Sequence, residues 1–543
     1  MNRLCTGAGI LLFTLLSFFQ FPGHTWLQQD TQIYAPILEH LRDPSVLRND
    51  MLVKRPHVSF TLYDETALWL RQLTALDFQQ VLALEQVVTR ALGIWGIWLM
   101  ATACGLASGP ALVVAGIYAL GATINGPSVL SFEIEPDPRG FAVPLLFFAA
   151  GLTAHARYLA AGVAGSVAFL IHPPTVYPFW GVYFCLAMWP AQPDVMRRRL
   201  YGLAPLIVAA AVLAVASRRQ AGEGETQVFF SLLTPLQEQL QRMRASYCWI
   251  SMWWRDQVPH YVVLWIAGLL AFRRIRDRLP FDLRLFLLGM PLIGMLSMPA
   301  SAVLLEKLKW ALLPQFQPMR AVLFVTVMAV FVASVAGLRA LERRRVAESV
   351  VWFALAYLVP VNTSVTALPD WRRAATILVL VLGALLSGWG FERKRSWAPL
   401  AATAATAGAF FLLPALGRVQ TYPYLHTPQV IQLSAWARSA TPKDAVFLFP
   451  DAGRNLYPGI FRSRALRAVY VDWKGGGQVN YLKALGEEWW ARWQATLARP
   501  FHPSELPRYR SLGIDYVVVQ PSNRIPALVP VYANSGFVVY RLS

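Results

Sequence analysis

The sequence predicts a multi-pass α-helical membrane protein carrying a C-terminal α/β domain outside the bilayer, and three observations predict it. The 543 residues are 56% hydrophobic and 15% charged, beyond the soluble globular range. The apolar residues fall into runs near the ~20 residues that a helix needs to cross a bilayer. Lys and Arg sit in short blocks between those runs: Arg197-Arg198-Arg199, Arg273-Arg274-Ile275-Arg276, Arg343-Arg344-Arg345 and Arg393-Lys394-Arg395. Basic blocks in short loops mark the cytoplasmic face. The net charge of +19 is therefore a membrane signature and argues against a nucleic-acid partner.

Threading the runs through these blocks gives about thirteen spans. They lie near Thr6–Phe21, Val81–Leu106, Ala111–Ile124, Phe141–Ala154, Tyr158–Ile171 and Thr175–Trp189. The rest lie near Leu200–Ser217, His260–Phe272, Leu283–Leu304, Val322–Leu338, Val346–Val361, Ile377–Trp389 and Pro399–Leu416. Pro and His interrupt the short pairs between Ala111 and Trp189, so eleven is the alternative count. Arg3 keeps the N-terminus cytoplasmic, and no small-residue cleavage site follows Phe21, which reads as an uncleaved signal anchor. An odd number of crossings places residues 421–543 on the opposite side from the N-terminus. In a bacterium with two membranes this is the cytoplasmic (inner) membrane, with the tail in the periplasm. Residues 1–420 form the membrane domain, whose first outside loop spans 26–80. Short interfacial helices are expected there at Arg42–Asp50 and Thr61–Leu73.

The tail alternates strands and helices. Ala445–Phe449, Ala468–Val471, Tyr516–Val519 and Phe537–Tyr540 are β-branched or aromatic runs, and Tyr481–Leu497 and Pro503–Ser511 read as helices. This order suggests a small, mostly parallel sheet. Gly475-Gly476-Gly477 lacks the strand–glycine–helix spacing of a phosphate cradle and reads as a flexible loop. The four cysteines show no disulfide or metal-ligand spacing.

Candidate chemistry gathers in the outside loops. Asp30 follows the first span at once, where a carboxylate acts as a general base or a metal ligand, or is simply solvated. Ser131–Gly140 holds Glu133, Glu135 and Asp137 ahead of Arg139. Alternating carboxylates on an extended segment point the same way and suit a divalent cation, Mg or Mn, against the plainer reading of a solvated acidic loop. Arg320, in Gln317-Pro318-Met319-Arg320, starts a span on the outside, where it binds a lipid phosphate or snorkels. His172, in His172-Pro173-Pro174-Thr175, closes another span, as a phosphate contact or as a polar plug. Weaker candidates are His57 in the first loop and Asp472 and Lys474 around Trp473, a sugar or headgroup contact or a packing feature.

The whole layout resembles the GT-C glycosyltransferases: a first span, a long acidic-led first loop with amphipathic helices, about thirteen spans and an outside α/β tail. Asp30 matches the position of that superfamily's first-loop catalytic Asp, and Glu135 with Asp137 matches its second-loop acidic pair. His172-Pro173-Pro174-Thr175, Gln317-Pro318-Met319-Arg320 and Val471-Asp472-Trp473-Lys474 are similar to segments of a less studied bacterial branch. The chain departs from the pattern in having a single Asp at position 30. Trp489-Trp490 is followed by Ala491, which is not the peptide-acceptor motif of the oligosaccharyltransferases. The resemblance implies transfer of a sugar from a polyprenyl-phosphate donor, among membrane lipids, to a lipid, glycan or protein acceptor. It assigns Asp30 to the acceptor hydroxyl, Glu135 and Asp137 to positioning, and Arg320, Arg139 and His172 to the leaving phosphate. A non-catalytic GT-C-like assembly protein and a polytopic lipid or glycan transporter are the other classes. The spans hold almost no Asp, Glu or Lys, which weighs against transport.

Overall fold

The computed structural model describes residues 3–53, 61–220, 230–416 and 424–542. His57 and the expected boundary at 420/421 lie outside the described residues. The chain forms helices α1 (Arg3–Phe19), α2 (Thr31–Arg42), α3 (Tyr63–Thr74), α4 (Phe78–Ala103), α5 (Ser108–Ala119), α6 (Pro138–Ala154), α7 (Tyr158–Ile171) and α8 (Pro173–Met188). They continue as α9 (Pro193–Tyr201), α10 (Ala204–Gln220), α11 (Pro235–Arg244), α12 (Gln257–Ile275), α13 (Phe281–Ser301), α14 (Leu312–Phe316), α15 (Val322–Glu342), α16 (Val346–Asn362), α17 (Trp371–Glu392) and α18 (Ala398–Leu412).

Each of the thirteen expected spans falls on a helix, and the short runs between Ala111 and Trp189 stay separate. His172-Pro173 ends α7, because the residue before a proline leaves the α region and the proline itself starts a new helix well. Among the described residues seven helical segments are long and apolar enough to cross a membrane, and five shorter apolar helices accompany them. The protein is thus a multi-pass membrane protein. Helix α15 is its axis: Val322 through Leu341 are all buried, the signature of a helix apolar all round. Without a hydrophobic drive between helices in lipid, close packing falls to small residues. A Cβ on Gly96 of α4 would lie 2.4 Å from the Phe148 backbone of α6, so only glycine lets these two helices meet.

The two ends of the bundle differ. At one end Arg199 pairs with Asp282 at 2.5 Å, Arg274 with Glu348 and Arg344 with Glu392, which collects the basic blocks on a single face. The opposite end carries the first loop, a short hairpin of β1 (Thr123–Ile124) and β2 (Val129–Leu130), and the tail.

In the first loop the structure corrects the helix at Arg42–Asp50. The helix is α2, ending at Arg42, and residues 43–50 turn instead. Pro44 pushes Asp43 into extended backbone and stops it. The second expected helix is present as α3.

The tail holds β3 (Val446–Leu448), β4 (Ala468–Val469), β5 (Tyr516–Val519), β6 (Tyr532–Ala533) and β7 (Val538–Arg541) in the order β4-β3-β5-β7-β6. The first three are parallel, as expected, but β7 and β6 add an antiparallel edge, so the sheet is mixed. Helices α19 (Pro428–Ala440), α20 (Tyr457–Ala465), α21 (Lys483–Thr496) and α22 (Leu506–Ser511) flank it. One face of the sheet shares a buried core with the first loop: Phe447, Phe449, Phe461 and Val518 pack with Leu38, Tyr63 and Ala67. That shared core sets the tail directly over the end of the bundle.

Candidate active site

Asp30 follows α1 by way of a loop that is pinned from below. Glu135 is 4% exposed and takes the N–H groups of Gln28 (2.5 Å) and Gln29 (2.9 Å) on one oxygen and of Thr31 (3.0 Å) on the other. Three charge-assisted bonds thus hold the residues on both sides of Asp30. Burial pushes the Glu135 carboxyl up, and these N–H groups oppose it.

The neighbouring acids do not line up beside Glu135. The segment turns at Asp137, whose N–H bonds the Glu135 carbonyl at 2.9 Å, so it is not the extended strand expected. Asp137 caps α6, taking the Gly140 N–H at 2.7 Å on one oxygen and Arg139 at 3.2 Å on the other. Glu133 takes Arg139 Nε at 2.8 Å. Burial pushes the Asp137 carboxyl up to about 8 against the pull of Arg139. Glu135 and Asp137 therefore do not fit the Mg or Mn site expected of them. Their oxygens are engaged by N–H groups and a guanidinium, and they face different partners. Among the described residues no group of three or more His, Cys, Asp or Glu is spaced to hold an ion.

Cations surround Asp30 instead. Lys474 Nζ from the tail bonds its Oδ1 at 2.6 Å. Burial pushes the Asp30 carboxyl up, but Lys474, Arg139 and Arg320 overrule it and hold it down at about 2. The carboxylate keeps 41% of its side-chain surface open and lines two cavities. Gln317 adopts left-handed backbone (φ 51°), and the turn Pro318–Ala321 that follows swings Arg320 inward. Arg320 lies over the Tyr247 ring at 4.8 Å, and its buried Nε has no acceptor among the described residues.

Two cavities meet at these groups. The first, about 740 Å³, is walled by apolar side chains of α7, α10 and α14, among them Phe169, Ile171, Leu213, Leu312 and Phe316. The second, about 1030 Å³, is lined by polar residues of the β1–β2 hairpin, the C-terminal end of α16 and the loop that follows it, including Asn125, Ser128, Asn362, Ser364 and Asp370. Asp30, Asp137, Arg139, Tyr247, Arg320 and Lys474 border both.

Of the residues singled out from sequence, Asp30, Asp137, Arg139, Arg320 and Lys474 converge here. His172 lines only the first cavity, bonded to Thr175 Oγ1 at 2.8 Å. Glu135 supports the loop and also borders the second cavity. Asp472 is a packing residue: with Asp50 it encloses Arg462, both bonds at 2.6 Å, and it takes the Gly475 N–H at 3.1 Å. Gly475-Gly476-Gly477 is not a flexible loop but part of the compact turn Lys474–Asn480, where a Cβ on Gly476 would meet Trp489 at 2.5 Å.

Sequence reasoning missed Arg244, Tyr247 and Tyr481, which line the first cavity beside Trp473. Arg244 stacks on Trp473 at 3.8 Å, its buried Nε without an acceptor among the described residues. Burial pushes its guanidinium down to about 10. A signal existed: Arg242 and Arg244 form a basic pair in an outside segment, against the charge rule, and are followed at once by Tyr247 and Trp249.

A family described as a domain of unknown function, DUF6798, matches residues 428–496, which covers α19 through α21. No curated protein sequence matches the chain. Among solved structures the chain is similar to ArnT from Cupriavidus metallidurans in the apo state. Identity is 12% over 99% of this chain and 97% of that one, with a TM-score of 0.50. The same protein bound to undecaprenyl phosphate matches at 12% identity over 99% and 97%, with a TM-score of 0.48. Arabinofuranosyltransferase AftD from mycobacteria matches at 14% identity and a TM-score of 0.46, over 100% of this chain and 40% of AftD. The apo ArnT match establishes a fold: the GT-C-like membrane architecture with a C-terminal sheet that the sequence layout implied.

Proposed function

We propose that the chain is a membrane glycosyltransferase that moves a sugar from a polyprenyl-phosphate donor to an acceptor hydroxyl. The observation that carries this reading is the junction of an apolar-walled and a polar cavity at one open carboxylate, Asp30, ringed by cations. The donor's isoprenoid chain lies along the apolar wall of the first cavity, and its phosphate sits at Arg320, with Lys474, Arg139 and Arg244 nearby. The acceptor enters from the second cavity. Asp30 orients its hydroxyl and takes its proton as the oxygen attacks the anomeric carbon. The bond from that carbon to the phosphate oxygen breaks, and the polyprenyl phosphate leaves with the electron pair. A single displacement of this kind inverts the anomeric centre. Cations fixed where charge develops need no reorganisation during reaction, which is commonly a large catalytic contribution. Glu135 acts by holding the loop of Asp30, as its three backbone bonds support.

The basic end of the bundle is placed in the cytoplasm by the charge rule. The site and tail then face the periplasm of a bacterial inner membrane. The test is transfer from a radiolabelled polyprenyl-phosphate sugar by the reconstituted chain and by Asp30→Asn. Loss of general-base action lowers the rate roughly 10²- to 10⁴-fold. Equal rates in the two proteins would remove Asp30 from the chemistry, and no transfer by either would favour an assembly role.

A further inference from the structure

Resting on that reading, we propose that Lys474 is an exchangeable partner. Its ammonium leaves Asp30 for the donor phosphate, so that donor binding frees the carboxylate for the acceptor. Three observations carry it. Lys474 borders both cavities, and its bond to Asp30 lies where they meet. Arg320 and Arg244 each keep a buried Nε without an acceptor among the described residues, while Asp137 already serves Arg139 and a helix cap. An arriving anion therefore meets guanidinium N–H groups that are not yet engaged.

The backbone beneath Lys474 is fixed. Asp472 is locked by Arg462 and takes the Gly475 N–H, and Trp473 is clasped between Arg244 at 3.8 Å and Arg454 at 4.6 Å. Only the side chain is left to move. A lysine suits that task, being a point charge on a flexible stem, where arginine's planar fork favours a fixed two-point contact. The tail thereby supplies a working part of the site rather than a cover for it.

A double-mutant cycle on binding of undecaprenyl phosphate to the full chain in detergent tests the exchange without requiring turnover. Lys474→Met should weaken binding by about tenfold or more, the loss of one charge-assisted contact. Asp30→Asn should tighten it by roughly threefold to tenfold, because Lys474 then has no partner to leave. In the double variant the gain from Asp30→Asn should vanish. Lys474→Arg keeps the charge but favours a fixed two-point pair with Asp30, so it should bind less tightly than the parent, and an unchanged unfolding midpoint controls for misfolding. Unchanged binding by Lys474→Met would overturn the exchange. So would an equal gain from Asp30→Asn in both backgrounds, which would mean simple through-space charge removal. Absence of binding by the unmodified chain would overturn the donor reading, and the exchange with it.

Discussion

Replacing Arg462 by Leu tests how the tail is fixed over the membrane domain. Arg462 and Asp50 are 0% exposed and Asp472 is 1% exposed, and the guanidinium bonds both carboxylates at 2.6 Å. Burial pulls the guanidinium down, but the two carboxylates overrule it and hold it above the usual range. The substitution strands two buried carboxylates, and breaking a buried pair by removing one partner costs about 3–5 kcal/mol. Asp50 also takes the Val469 N–H at 2.9 Å and Asp472 the Gly475 N–H at 3.1 Å, so local opening is reported by those amides. Converted at ~1.4 kcal/mol per tenfold, exchange of peptides covering residues 466–476 should accelerate by about 10²- to 4 × 10³-fold. Peptides from α15, in a separate core, should not change. Hydrogen exchange read by mass spectrometry makes the comparison. A local acceleration under about fivefold would refute the energetic argument, and parallel acceleration in α15 would refute its locality. Adding Asp50→Asn and Asp472→Asn should recover part of the protection, because no bare charge then remains buried.

Three further outcomes follow from the same geometry. Arg320→Gln should weaken binding of undecaprenyl phosphate by roughly 10- to 100-fold, the ~1.5–3 kcal/mol of a hydrogen bond to a charged group, measured by titration in detergent. Asp30 is held below its usual value, so its ion pair contributes fully above pH 3.8 and is lost only as pH falls through about 2. The pH profile of kcat/KM should accordingly show no acid limb from Asp30 near neutrality. Lys474→Met, which leaves burial dominant, should move that limb upward, and an unshifted limb would separate Asp30 from Lys474. Gly476→Ala forces a Cβ to 2.5 Å from Trp489 and 2.8 Å from Arg244 Nε, so it should destabilise the tail by about 1–3 kcal/mol, read as a lowered unfolding midpoint.

The membrane architecture was legible in the linear sequence because a bilayer imposes a one-dimensional rule: each crossing must be apolar over a fixed length, and loop charge sets its direction. The four strands of the tail were legible through their β-branched runs, whereas β6, two residues long and half-exposed, carried no such pattern. Asp30 and Arg320 were legible because they stand beside span ends. Their junction was not. Asp30 and Lys474 are 444 positions apart, and only the core shared by the first loop and the tail brings them to 2.6 Å. The acidic segment shows the same division. Alternation of Glu133, Glu135 and Asp137 suggested a metal site. Burial then required each carboxylate to find its own donors, and those were backbone amides and Arg139, supplied by folding. Periodicity and composition decided which segments lie in the membrane. Which charges face one another, and across which cavity, was decided by tertiary packing, because a buried charge is settled by its neighbours in space.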